Sequence, residues 1–179
     1  MPLRASALSA AEERALEVIV QLHCAQEDAD DVLRRRVAAL HDVPAEAVRV
    51  GRACPRCGSS LHGRPWAQIG ALEIPVSLSR CGPHLMTAVA PAGAVGVDLE
   101  AIAAVGRGWD EELVLHPQER RRSAPRTDAE RAAVWARKEA VLKMLGTGLA
   151  TAMSAVDLAE HQVIDVPAPP GHVAALAQG

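Results

Sequence analysis

The sequence predicts an α+β protein with antiparallel strands. Three observations carry this. Helical periodicity is concentrated near the start and in one long segment, residues 127–145. Short apolar runs of strand length, separated by Gly and Pro, fill the middle and the end. Helices and strands do not alternate regularly enough for a doubly wound parallel sheet.

Ser9-Ala-Ala-Glu12 reads as a capping box for a first helix, with Leu16, Ile19, Val20 and His23 following at helical spacing and Cys24 on its apolar face as a core residue. A second helix is expected from about Asp28 to Leu40, its stripe formed by Val32, Leu33, Val37 and Leu40, with Pro44 closing the region. Arg34, Arg35 and Arg36 read as a solvated face. Residues 51–66 carry turn chemistry. Strands are expected at Ile74–Leu78, His84–Ala90 and Val95–Glu100, the last two as antiparallel neighbours around Pro91 and Gly93. A helical stretch from Asp110 to Arg122 is interrupted at His116-Pro117. Thr127 or Asp128 caps the long helix, and Gly146 and Gly148 stop it. Strands near 155–158, 162–166 and 172–176 complete the chain, with a turn at 167–171.

Composition bounds the function. Net charge is −3 over 179 residues, unlike a dedicated nucleic-acid binder, and there is no Phe or Tyr to form a base-stacking platform. No apolar run approaches the ~18 residues of a membrane span, and no signal peptide is read at the start, so a cytoplasmic protein is expected. Four cysteines in such a chain do not suggest a disulfide framework. Of 19 basic residues only two, Lys138 and Lys143, are lysines.

Two segments carry chemistry. In Gly96-Val97-Asp98-Leu99-Glu100, strand alternation puts Asp98 and Glu100 on one face, roughly 7 Å apart along the strand. Such a pair repels unless a cation lies between, and Mg²⁺ prefers hard oxygen ligands; strand-end charges in water are the plainer alternative. In Trp135-Ala-Arg-Lys138-Glu139-Ala-Val-Leu-Lys143, Trp135, Glu139 and Lys143 recur every fourth residue and share a helix face. Glu139 and Lys143 then form either a functional pair or an ordinary surface ion pair.

Taken together, the strand motif and, about 40 residues on, the Trp-x-x-Lys-Glu-Ala-x-x-Lys motif resemble the signature of the 4′-phosphopantetheinyl transferases. His62-Gly63-Arg64-Pro65 is similar to the family's Gly-basic-Pro segment, and Val76-Ser77-Leu78-Ser79 to its strand leading into Ser-His-Ser. The resemblance covers roughly residues 50–176. It implies a phosphopantetheinyl transferase-like fold of two pseudo-repeat halves, 1–92 and 93–179, each with a small antiparallel sheet and packed helices. It implies Mg²⁺-dependent transfer of the 4′-phosphopantetheine arm of coenzyme A to a serine of an acyl or peptidyl carrier protein, with adenosine 3′,5′-bisphosphate released. Asp98 and Glu139 would then be the principal metal ligands, with Glu100 a third ligand or a partner behind them, and Glu139 would also be the base, directly or through a metal-bound water. Lys143 and Arg64 would bind coenzyme A phosphates, Ser79 would contact coenzyme A from the loop after its strand, and Lys138 would support. Arg80 stands where the family has histidine and would grip the 3′-phosphate in a different geometry. Asp31 falls where relatives carry a basic residue. The length suits the monomeric surfactin-synthetase-activating type, whose carriers serve polyketide or nonribosomal peptide assembly. Arg120, Arg121 and Arg122 are candidates for the face that meets an acidic carrier.

Cys54-Pro-Arg-Cys57 has zinc half-knuckle spacing, with His62 five residues on. Bound zinc, free thiols and a redox pair all remain open, as does a fourth ligand from Cys81 or His84. Two alternatives to the enzyme follow. One is a non-catalytic relative that binds coenzyme A or a carrier domain; the other is an interaction module stapled by zinc.

Overall fold

The computed structural model describes residues 17–54, 56–122 and 124–179. The fold is mixed α+β: among these residues three small antiparallel sheets pack with five α-helices. The expected Ser9 capping box and Leu16 lie outside the described residues.

The first described element is a strand, β1 (Ile19–Cys24), where helical spacing suggested a helix. β1 pairs with β6 (His84–Val89), Ile19 opposite Val89 and Cys24 opposite His84. The run Val18-Ile19-Val20 is β-branched, which favours a half-buried strand over a helix. Cys24 is consequently exposed, not a core residue. Helix α1 (Ala29–His41) forms as expected; Asp28 caps it by accepting from the N–H groups of Asp30 and Asp31, and Asp42 ends it at φ 51°.

The turn-rich segment is shorter than its composition suggested. β2 (Val48–Ala53) and β3 (Arg64–Ile69) flank it, and β4 (Leu72–Ile74) extends that sheet. Gly51 is a strand residue because it lies against the Trp66 ring: a Cβ there would stand 2.7 Å from the indole. Pro75 then separates β4 from β5 (Val76–Cys81), which pairs with β6.

β6 and β7 (Val95–Ala101) are not a hairpin pair. β6 lies between β1 and β5, and β7 pairs with β9 (His172–Gln178), beside β8 (Gln162–Val166). The edge strands β5 and β7 are instead joined through side chains: the Val97 N–H donates to Ser77 Oγ at 3.0 Å. α2 (Ile102–Gly108), α3 (Glu111–Val114) and α4 (Pro117–Arg122) follow. The expected strand at 155–158 is a pair of 3₁₀ turns, held by Asp157 accepting from the Ala159 N–H.

α5 (Asp128–Leu145) is the long helix. Thr127 and Glu130 form its capping box, and Gly146 ends it at φ 72°. Its alanines at 132, 136 and 140 are fully buried, and the last two pack in one core cluster with Ala175 and Ala177 of β9. The small side chains bring helix and sheet close. Gly96 brings them closer still, since a Cβ on it would lie 1.9 Å from the Ala140 carbonyl oxygen. Gly96→Ala is therefore expected to cost about 3 kcal/mol, the upper end for overpacking, because the atoms met are backbone. Urea unfolding followed by circular dichroism measures it.

Candidate functional site

The close approach at Gly96 sets the site. Val95, Val97 and Leu99 turn into the core between the sheets, so Gly96, Asp98 and Glu100 face α5. On α5 the meeting face carries Trp135, Glu139 and Lys143. Asp98 is 2% exposed. Its Oδ1 accepts from Ser79 Oγ at 2.8 Å and from Lys143 Nζ at 2.5 Å. Lys143 Nζ also donates to the Val97 carbonyl at 3.1 Å. Asp98 Oδ2 is buried with no hydrogen-bond partner.

The carboxylates feel one another. Burial first, and then Asp98 and Glu139, push the Glu100 carboxyl up to about 7, while Lys143 and the Trp135 indole pull the other way. Burial and then Asp98 raise Glu139, again opposed by Lys143. Both groups hold a proton more tightly in the folded chain than in the unfolded one. In chelator, stability is therefore expected to fall as pH rises from 4.5 through about 7, where the folded protein must accept charges it disfavours. Denaturant midpoints across that range test this.

The donor set suits a hard divalent cation. It is all carboxyl, it sets three carboxyl groups beside one ammonium, and it presents an unpartnered buried oxygen at Asp98. The three carboxylates do not all come within 4.8 Å of one another, and Lys143 occupies Asp98 Oδ1.

Beyond Lys143 opens a cavity of 290 Å³, lined among others by Arg52, Arg64, Lys143, Thr147 and Gly148 and by no carboxylate. Arg64 reaches it across the end of α5, with its guanidinium against Gly146. Arg52 donates to Asp30 from both Nε and Nη2. Arg64 makes no ion pair among the described residues. A larger cleft of 720 Å³ shares Arg64 and Gly146 with it and is lined by β3 and by residues 93–95.

The structure thus brings together Asp98, Glu100, Glu139, Lys143 and Ser79, with Arg64 at the adjoining cavity. Ser79 lies within β5 rather than in a loop after it, and its hydroxyl is committed to Asp98. Arg80 points to the opposite face of β5 and donates to the Ala25 carbonyl at 2.7 Å. Lys138 is fully buried on another side of α5. It pairs with Glu119 at 2.7 Å and donates to the carbonyls of Met153 and Val156, which leaves no surface to offer a phosphate. Sequence reasoning missed Arg52, whose place is set by the unforeseen strand β2, and Glu119, whose partner was read as a ligand-binding lysine.

No helix among the described residues is long and apolar enough to cross a membrane. No curated protein matches the chain. Residues 94–176, which carry β7, α5 and the three carboxylates, match the model of the 4′-phosphopantetheinyl transferase superfamily, and this half of the molecule is similar to that family.

Proposed function

We propose that this protein transfers the 4′-phosphopantetheine arm of coenzyme A to a serine of an apo acyl or peptidyl carrier protein, as a cytoplasmic monomer of the surfactin-synthetase-activating type. The observation that carries the reading is the position of Lys143. Its ammonium rests on Asp98 within the carboxylate cluster and also lines the cavity that holds Arg64, which makes no ion pair among the described residues. Phosphate binding and acid–base groups meet at that one side chain.

Arg64 and Lys143 hold the phosphates of coenzyme A. Asp98, Glu100 and Glu139 would hold Mg²⁺, which when bound polarises the pyrophosphate and offsets charge on the leaving group. Ser79 fixes the Asp98 carboxylate. Glu139 takes the proton of the carrier serine as the general base. The serine oxygen forms a bond to the β-phosphorus, the pyrophosphate P–O bond breaks, and its electron pair leaves with adenosine 3′,5′-bisphosphate. Lys143 stabilises the charge that develops. Arg120 and Arg121, exposed on α4, offer contacts to an acidic carrier, while Arg122 is tied to Asp157 at 3.1 Å. Arg80 and Lys138 take no part in binding coenzyme A here.

Intact-mass spectrometry of an apo carrier domain incubated with the protein, coenzyme A and Mg²⁺ tests the proposal. The expected result is a carrier heavier by one phosphopantetheine; an unchanged mass across both acyl and peptidyl carriers overturns it.

A further inference from the structure

Three side chains outside this site converge in the loop between β2 and β3. One ligand atom from each of Cys54, Cys57 and His62 lies within 4.8 Å of the other two, and no other trio of His, Cys, Asp or Glu among the described residues meets that test. Cys57 Sγ and His62 Nε2 stand 3.3 Å apart. Tetrahedral zinc, with bonds of about 2.3 Å to sulfur and about 2.0 Å to nitrogen, separates such ligands by roughly 3.5 Å. The pair therefore already spans about one edge of a coordination tetrahedron.

The backbone builds this arrangement. The Gly58 N–H donates to the Cys54 carbonyl at 2.9 Å and the Cys54 N–H to the Ser59 carbonyl at 3.0 Å, which folds Cys57 back over Cys54. Gly58 permits the turn with φ +72°. The N–H groups of Cys57 and Arg56 are directed at the Cys54 sulfur, which turns it toward the interior of the loop. Cys81 and His84 are not part of the group. Cys81 lies near Glu100 at the far end of β5, and His84 packs edge-on against His172 with ring centroids 5.0 Å apart. Cys57 and His62 are exposed, so a fourth position faces solvent.

We propose that Cys54, Cys57 and His62 bind one Zn²⁺, with water at the fourth position, and that the ion staples the loop that delivers Arg64. The chain passes from His62 through Gly63, where a Cβ would lie 2.4 Å from the Ala53 carbonyl oxygen, directly to Arg64 at the cavity. The metal closes the loop above that crossing and fixes where β3 begins. Zinc binding is independent of the transfer reaction and is measured without it.

The test uses the full chain, reduced, stripped with chelator and titrated with Co²⁺. The expected result is thiolate-to-cobalt charge transfer and the visible bands of tetrahedral cobalt, saturating at one equivalent and abolished by Zn²⁺. Cys57→Ser and His62→Ala, checked for folding by circular dichroism, are expected to weaken zinc binding at least about a hundredfold, since loss of an outer partner alone costs 10–100-fold; Cys24→Ser is expected to leave it unchanged. Three results overturn the proposal: a folded chain that takes up no cobalt, variants that bind as the parent does, or a Cys54–Cys57 disulfide forming as fast with zinc as without.

Discussion

Glu139→Gln is expected to lower kcat for carrier modification by about 10²–10⁴, the usual contribution of a positioned base. The substitution keeps the shape of the side chain and removes one charge. That charge is held against burial and against Asp98, so its loss relieves repulsion. The variant is therefore expected to unfold at the same temperature as the parent or higher. Glu100, raised in part by Glu139, should then titrate lower. A loss of activity without a loss of stability separates a chemical role from a packing role. Lys143→Met differs in both respects: it should raise KM for coenzyme A, and it should destabilise the fold by leaving buried Asp98 with Ser79 alone. Steady-state kinetics on an apo carrier, beside thermal unfolding of each variant, provides the check. Unchanged transfer by Glu139→Gln would remove the assigned base.

How much of this was legible in the sequence depended on whether the signal was local. The long helix and its cap were, because Thr127, Glu130 and Gly146 act within one turn of the residues they satisfy. The face shared by Asp98 and Glu100 was too, since strand alternation is a two-residue rule. That Asp98 faces the Glu139 turn of the long helix came from the resemblance of the paired motifs; its contact with Lys143 was not foreseen, and the physical cause of both, the helix backbone lying on Gly96, appears only in three dimensions. β1 was misread because Ile19, Val20 and His23 satisfy a helical spacing while the partner strand that decides the matter lies 60 residues away. β2 and β3 were hidden by Gly51 and Pro65, residues that punctuate loops but here tolerate a strand because Gly51 makes room for Trp66. Arg80 and Ser79 were read as neighbours with a shared task, yet alternation along β5 sends them to opposite faces.

Lys138 tests this distinction between motif and geometry most severely. It is adjacent to Glu139 in sequence and about 100° away around the helix. The structure buries it completely, with Glu119, Met153 and Val156 as its partners. Burial lowers the affinity of its amine for a proton, and Glu119 chiefly restores it. Glu119→Gln is accordingly expected to cost about 3–5 kcal/mol, because it strands a charge inside the fold. Lys138→Met should cost less, since Glu119 keeps backbone donors at His116 and Leu158, at 2.9 and 3.0 Å. The double variant should recover part of the loss, giving a coupling that urea unfolding resolves as a double-mutant cycle. The pH dependence has a definite sign. A lysine that binds its proton less tightly when folded makes stability rise with pH as it deprotonates, so Glu119→Gln should gain stability between neutral pH and 10 more steeply than the parent. Were Lys138 instead a ligand for coenzyme A, its removal would raise KM and leave unfolding untouched. The buried pair predicts the reverse: a marked change in stability, with KM for coenzyme A unaltered in whatever fraction remains folded.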